Sequence, residues 1–374
     1  MPAVIRLAQP YTDQREADAL RETLDSGMLV QGERVRAFEA AVARRLGEPL
    51  PEAVAVSNGT VALELALAAL GVGPGDEVIV PAVSWPSPGH AVLLRGAVPV
   101  LVDIDPHTWN LDPARLPSLR TARTRAVIAI DQFGVPADIP AVRAACPGVA
   151  VLEDAACALG ASLHGVACGV LGDLGTFSFH PRKVITTGEG GMVTTRDAAF
   201  AARLRTLRNH GLRGPGDFVE AGSNARLSEL HAAVGVAQCE KLDEILGRRI
   251  ALAARMRGAV DLRWQRAPAG AVVNHQTLGF TIPHSSPGDL AGLRARRDAV
   301  IAALRADGVE AGILSYALHR LPAFAAHAVN AARSFPVADA VVDGGVAAPL
   351  HPRMTEADAD AVISALRRHA GGAR

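Results

Sequence analysis

Two lysines, Lys183 and Lys241, stand among the 38 lysine and arginine residues of this 374-residue chain; the rest are arginines. A guanidinium stays charged, whereas an amine can shed its proton and add to a carbonyl to form an imine. Lys183 lies in the most distinctive stretch, Gly175-Thr-Phe-Ser-Phe-His-Pro-Arg-Lys-Val-Ile-Thr-Thr-Gly-Glu-Gly-Gly-Met-Val-Thr-Thr195. Its neighbours mark it as an imine-forming amine. Lys241, in the helical run Gln238-Cys-Glu-Lys-Leu-Asp-Glu-Ile-Leu246, reads as an ordinary surface lysine.

An imine alone does no chemistry on a neighbouring carbon; it needs an electron sink, which pyridoxal phosphate supplies if its ring nitrogen is kept protonated. A carboxylate against that nitrogen favours the charged form. Asp154 follows the apolar run Val149–Leu152 and is expected at the carboxyl end of a strand, the edge where open α/β sheets bind ligands. Read without its context, Asp154 is equally a helix N-cap before Ala155-Ala-Cys-Ala-Leu159. The phosphate calls for backbone N–H groups at a helix start together with hydroxyls. Gly59 and Thr60, in Ser57-Asn-Gly-Thr60, and Ser178, five residues before Lys183, meet that need. Trp85, in Pro81-Ala-Val-Ser-Trp-Pro86, either lies flat on the pyridine ring or packs in the core; the residues leave both open.

Other chemistries are disfavoured. Gly188-Glu-Gly-Gly191 follows the lysine instead of preceding it, so it is no phosphate loop of the nucleotide-hydrolysing kind, and no Gly-x-Gly-x-x-Gly opens a helix after a strand. Lys and Arg balance Asp and Glu at a net charge of zero, which argues against nucleic acid as a partner. No apolar run approaches the roughly 18 residues of a membrane helix, and the first ten residues do not pattern as a signal peptide. Cys146, Cys157, Cys168 and Cys239 show neither Cys-x-x-Cys nor zinc-finger spacing. No metal site is expected, and the thiols read as those of a soluble, cytoplasmic protein.

Short β-branched runs alternate with longer Ala/Leu/Arg-rich stretches, the pattern of an α/β protein with a largely parallel sheet. Strands are expected at Val54–Val56, Val78–Val80, Val98–Val102, Ala126–Ile130, Val149–Leu152, Thr176–Phe179 and Gly191–Thr195. A long amphipathic helical stretch from Leu227 to Ala259 connects to a smaller α+β portion with strands near Leu278–Thr281 and Val346–Ala348. The predicted division is residues 1–245 for a large cofactor-binding domain and 246–374 for a small C-terminal domain.

The residues resemble a known group nearly end to end. Leu24-Asp-Ser-Gly-Met-Leu-Val-Gln-Gly-Glu33, Ser57-Asn-Gly-Thr60, Gly75-Asp-Glu-Val-Ile-Val-Pro-Ala82 and Val102-Asp-Ile-Asp-Pro106 open the match. Glu153-Asp-Ala-Ala156, Phe177-Ser-Phe-His-Pro-Arg-Lys183, Thr187-Gly-Glu-Gly-Gly-Met192, Asn224-Ala-Arg-Leu-Ser-Glu229 and Ala348-Pro-Leu-His-Pro352 continue it. Together they resemble the DegT/DnrJ/EryC1/StrS sugar aminotransferases, pyridoxal-phosphate enzymes of fold type I. The resemblance implies Lys183 as the imine-forming lysine and proton shuttle and Asp154 on the pyridinium. It implies Gly59, Thr60 and Ser178 on the phosphate, Trp85 stacked on the ring, and Cys157 near the cofactor's phenolic oxygen. It further implies that the segment holding Asn224 and Arg226 comes from a neighbouring subunit, so that a homodimer completes each site. Gln31, Arg226, Tyr316 and His319 fall in segments that line the acceptor cleft of similar enzymes. The implied reaction moves an amino group from glutamate or glutamine to a ketone on a nucleotide-linked sugar or a cyclitol.

Three positions depart from that pattern. Cys157 stands where Gln or His is usual, and a thiol is a weak hydrogen-bonding group. Arg182 replaces a small residue, and Asp131 occupies a position where His is frequent. Two rival readings keep the fold: a dehydrating or aromatising enzyme of the same family, and a cofactor-binding partner subunit with little turnover. A desulfurase would need a nucleophilic Cys on a mobile loop, whereas Cys146 and Cys239 fall in helical context. No arginine is marked by the sequence as the clamp for the donor's carboxylate.

Overall fold

The computed structural model describes residues 4–283 and 288–371. Seven strands form the main sheet: Glu52–Val56 (β1), Glu77–Pro81 (β2), Val98–Val102 (β3), Thr124–Ile130 (β4), Ala150–Asp154 (β5), Leu174–Ser178 (β6) and Gly191–Thr195 (β7). Their order is β1-β7-β6-β5-β4-β2-β3. The pairs β6/β5, β5/β4, β4/β2 and β2/β3 are parallel, while β7 runs antiparallel to both of its neighbours. Every residue of β2 is buried, as a strand covered by helices on both faces must be. Alternate residues feed opposite layers: Val80, Ile128 and Leu152 enter one apolar cluster, and Ile79, Val127 and Val151 another.

A second sheet is antiparallel throughout, with Arg263–Trp264 (β8), Leu278–Thr281 (β9), Gly312–Ile313 (β10) and Gly345–Ala348 (β11) in the order β8-β9-β11-β10. Its apolar face closes a core with Leu252 and Met256 of helix Leu242–Ala259, Leu304 of helix Leu290–Ala306 and Ile363 of helix Glu356–His369. The start of the chain returns to this unit, where Ile5 bridges to Val309 and packs against the same core. Among the described residues, no helix is long and apolar enough to cross a membrane.

Asp154 ends strand β5, as its apolar run predicts, and residues 155–161 form turns, so it caps nothing helical. Two sequence expectations change. The stretch expected as one helix from Leu227 is two, Glu229–Glu240 and Leu242–Ala259, broken at Lys241. Nor is Lys241 a surface residue: it is 1% exposed. Its Nζ reaches Glu16 at 2.5 Å, Asp13 at 3.3 Å and the Tyr11 carbonyl at 3.1 Å. The N-terminal segment lies over this end of the helix pair, a long-range contact that helical periodicity does not report. The amine holds that segment down.

Candidate active site

The sheet register builds the site. Ile130 of β4 pairs with Asp154 of β5, which in turn pairs with Thr176 of β6, so the carboxyl ends of three parallel strands form one ledge. Across the reversal, Ser178 pairs with Gly191 of β7, and Gly191 pairs with Val56 at the end of β1. This row brings Ser57–Thr60 beside Ser178, although some 120 residues separate them in the chain.

Helix Gly59–Ala69 begins at that point. Asn58 is its N-cap, its side chain accepting from the Val61 amide at 3.0 Å. A Cβ added to Gly59 would lie 2.8 Å from the Ser178 Cβ, so only glycine lets the helix start approach the Ser178 hydroxyl so closely. Thr60 Oγ1 lies 2.9 Å from Ser87 Oγ. Free amides at a helix start, the Thr60 hydroxyl, Ser178 and Ser87 thus converge, which suits an anionic oxygen cluster. Ser87 was not singled out in the sequence; only a fold that turns Ser87–Leu94 into the neighbouring helix brings it there.

Asp154 is buried. Burial raises its pKa above the ordinary carboxylate value, while the charge of Lys183 and the Ala156 amide, which donates to Oδ1 at 3.1 Å, pull it back down. No protein group among the described residues donates to Oδ2. A cationic group placed against this oxygen would favour the charged form of the carboxylate. Lys183 is half-buried on the turn after β6, and its Nζ donates to Cys157 Sγ at 3.2 Å. The Lys183 amide donates to the His180 carbonyl at 2.8 Å, closing that turn.

Behind the ledge, Asp131 and Glu153 are fully buried, and with Cys168 their ligand atoms lie within 4.8 Å of one another. Glu153 accepts from the Gly169, Leu171 and Gly172 amides. Asp131 accepts from the Ala137 amide through Oδ1 and has no partner at Oδ2. Burial, and then the charge of Glu153, push the Asp131 carboxyl well above its usual range. We read the cluster as a carboxyl–carboxylate pair sharing a proton, with Asp131 tied to the ledge by its amide, which donates to the Asp154 carbonyl at 3.1 Å.

The remaining sequence-marked residues divide. Trp85 is 62% exposed and meets Tyr316 edge to face, ring centroids 5.6 Å apart. A two-residue ladder pairs Tyr316 with Ser84 and Ala317 with Val83 and creates this contact. His319 stacks on Phe335 and pairs through Nε2 with Asp339 at 2.8 Å. Gln31 adopts a left-handed φ of 53°. Arg226 donates to Asn209 and bridges to Val56, beside the Ser57–Thr60 turn. Asn224 is exposed. Gln31 Nε2, Arg226 Nε and His319 Nδ1 are buried without a partner among the described residues. Arg182, one of the departing positions, is exposed.

Comparison with known proteins follows the same lines. The model of the DegT/DnrJ/EryC1/StrS aminotransferase family matches residues 10–367. A GDP-perosamine synthase from Caulobacter vibrioides is 39% identical, over 97% of each chain. Among solved structures, the aminotransferase TlmJ from Streptoalloteichus hindustanus is 33% identical with a TM-score of 0.89, covering 98% of both chains. A 3-amino-5-hydroxybenzoic acid synthase is 34% identical with a TM-score of 0.86, covering 98% of this chain and all of the other. Aminotransferases of this family depend on pyridoxal phosphate. Its requirements fit the cradle that a Cβ at Gly59 would fill and the Asp154 oxygen to which no described residue donates. The chain belongs to the DegT/DnrJ/EryC1/StrS family and is a pyridoxal-phosphate-dependent aminotransferase.

Proposed function

We propose that the protein moves an amino group from glutamate or glutamine to the keto group of a nucleotide-linked sugar, with Lys183 Nζ as the proton carrier. One observation carries this reading: the amine at the sheet edge stands within the field of a buried carboxylate that has no other cationic partner among the described residues. Pyridoxal phosphate, when bound, supplies the electron sink for the donor's α-carbon. Lys183 Nζ would hold the cofactor and, once freed by the amino donor, would carry a proton from one carbon to another, which requires a lone pair that an arginine lacks. Asp154 keeps the ring nitrogen protonated. The Gly59 and Thr60 amides with the Thr60, Ser178 and Ser87 hydroxyls hold the phosphate, and Trp85 covers the ring. Cys157, hydrogen-bonded to Lys183 Nζ, would meet the phenolic oxygen.

The 39% identical relative is named for an amino sugar carried on GDP, which favours a nucleotide-linked sugar over a cyclitol. Tyr316, with the unpartnered nitrogens of Gln31, Arg226 and His319, would meet this polar acceptor. We read the protein as a homodimer in which Asn224 and Arg226 complete the neighbour's site. Support comes from the exposed Met28, Leu29 and Val30, an apolar strip whose Val30 bridges to Ser228 next to that segment. The likeness to 3-amino-5-hydroxybenzoic acid synthase favours one alternative, dehydration leading to an aromatic amine.

The experiment pairs two assays on cofactor-loaded protein. Borohydride should fix the cofactor to the peptide containing Lys183. With glutamate as donor, a GDP-linked keto sugar should give the amino sugar by mass spectrometry. Fixation without amination of any keto sugar, but with loss of water from a cyclic ketone, would favour the alternative. No fixation at Lys183 would overturn both.

A further inference from the structure

The segment that enters β9 touches both loops of the site. Asn274 is fully buried, and its Nδ2 donates to the carbonyls of Cys157 and Leu159, each at 2.9 Å. It thereby fixes the turn that follows Asp154. Two residues on, Gln276 Nε2 donates to the carbonyl of Arg182 at 2.8 Å. That carbonyl belongs to the planar peptide whose nitrogen is Lys183's own, so fixing it fixes the Lys183 N and Cα from which the side chain springs.

Gln276 is itself held on every side. Its amide donates to Asn274 Oδ1 at 2.9 Å, and its Oε1 accepts from Thr277 Oγ1 at 2.9 Å. The Thr277 amide donates to the Phe133 carbonyl at 3.2 Å. From helix Leu242–Ala259, the buried Arg249 donates to the carbonyls of His275 and Gln276. Arg249 has no carboxylate partner among the described residues, and burial alone draws its pKa down to about 10. Gly134 makes room for this arrangement: at its φ of 93° a Cβ would lie 1.9 Å from Asn274 Oδ1. A buried cation, a fully buried amide and a left-handed glycine all secure a segment of four residues. An ordinary crossing between two units needs none of them.

We propose that Gln276 is a positioning residue for Lys183. Through the Arg182 carbonyl it sets where Nζ lies relative to Cys157 and Asp154, and because Thr277 leads directly into β9 it ties that setting to the small unit. This inference rests on the reading of Lys183 given above.

Gln276→Met keeps the length of the side chain and removes its donor; Gln276→Glu keeps the shape and presents only acceptors when ionised. In cofactor-free protein, amide hydrogen exchange across residues 180–184 should rise about fivefold in Gln276→Met, the worth of one hydrogen bond, with β5 unchanged. On loading, the cofactor's dissociation constant should rise by a similar factor. The amino-donor half-reaction should lose kcat while KM for the donor stays within about twofold, the mark of a misplaced reacting group. Gln276→Glu should move every reading in the same direction. Exchange and kcat indistinguishable from the unaltered protein would overturn the proposal, as would a variant that fails to fold, since a residue that only positions Lys183 is dispensable to the core. Borohydride fixation on the unaltered protein separates the two readings. If it misses Lys183 while exchange still rises in Gln276→Met, the catalytic reading has failed and the local tether has not.

Discussion

Lys183 Nζ and Cys157 Sγ lie 3.2 Å apart, so the side chain bonded to this amine is a thiol, a weak acceptor. A contact of this kind is worth less than the roughly 1 kcal/mol of an ordinary hydrogen bond. Cys157→Ala should therefore slow the glutamate half-reaction by no more than about threefold. Lys183→Arg removes the lone pair itself and should cost on the order of a thousandfold or more. Single-turnover absorbance kinetics would compare the two, and losses of equal size would make the thiol part of the proton machinery.

Gly59→Ala tests the phosphate cradle. The new methyl would meet the Ser178 Cβ at 2.8 Å, which forces the helix start and β6 apart. Cofactor affinity by equilibrium dialysis should fall about tenfold, the order of one charge-assisted hydrogen bond lost, with the secondary structure intact. Gly59→Ala with Ser178→Gly relieves the overlap but removes a hydroxyl, so affinity should recover only in part.

Lys241 joins the N-terminal segment to the break between two helices through Glu16, itself nearly buried. Lys241→Met leaves that carboxylate its bonds from the Asp13 amide and Gln238 but no cation, and a loss of about 2 kcal/mol in urea unfolding is expected, somewhat below the cost of breaking a wholly enclosed pair. Adding Glu16→Gln should return much of it. Borohydride fixation at Lys183 should be unaffected in both variants, which separates the structural lysine from the chemical one.

Asp131 and Glu153 set a pH dependence whose sign is fixed. Both carboxyls are held above their ordinary values, by burial first. The folded protein therefore keeps a proton that the unfolded chain releases near pH 4. This contribution is fully present below about pH 4 and is lost as pH rises toward the folded-state value, at up to about 1.4 kcal/mol per pH unit. Asp131→Asn, whose amide donates to Glu153 without titrating, should lose less stability than the unaltered protein between about pH 4 and pH 8. Urea midpoints that run parallel for the two proteins would refute the shared proton.

Much of the candidate site's layout was legible because its residues fall in local strings. Ser57-Asn-Gly-Thr60, Glu153-Asp154 and Ser178 with Lys183 each sit at a strand end that an apolar run announces, and one sheet register brings them together. What escaped was everything made by distant segments. The burial of Lys241 depends on Tyr11, Asp13 and Glu16, more than 220 residues away. Gln276 carries no motif; its reach to Arg182 exists only once the chain has crossed between units. Trp85 could be read two ways because its partner, Tyr316, is supplied by a two-residue ladder too short to leave a pattern. Asp154 lies at the strand edge that its apolar run predicts, but the turns that follow it, pinned by Asn274, hide behind a sequence rich in helix formers.

The helix Leu242–Ala259 lends Leu242, Ile245 and Leu246 to one apolar cluster and Leu252, Ala253 and Met256 to the other. It is a shared beam, and a chain severed at its middle would leave each fragment with a ragged, water-facing wound. Homologous swaps that graft a foreign C-terminal portion onto this protein should therefore be joined beyond the beam's end, near Val260, so that the whole rod travels with its original owner.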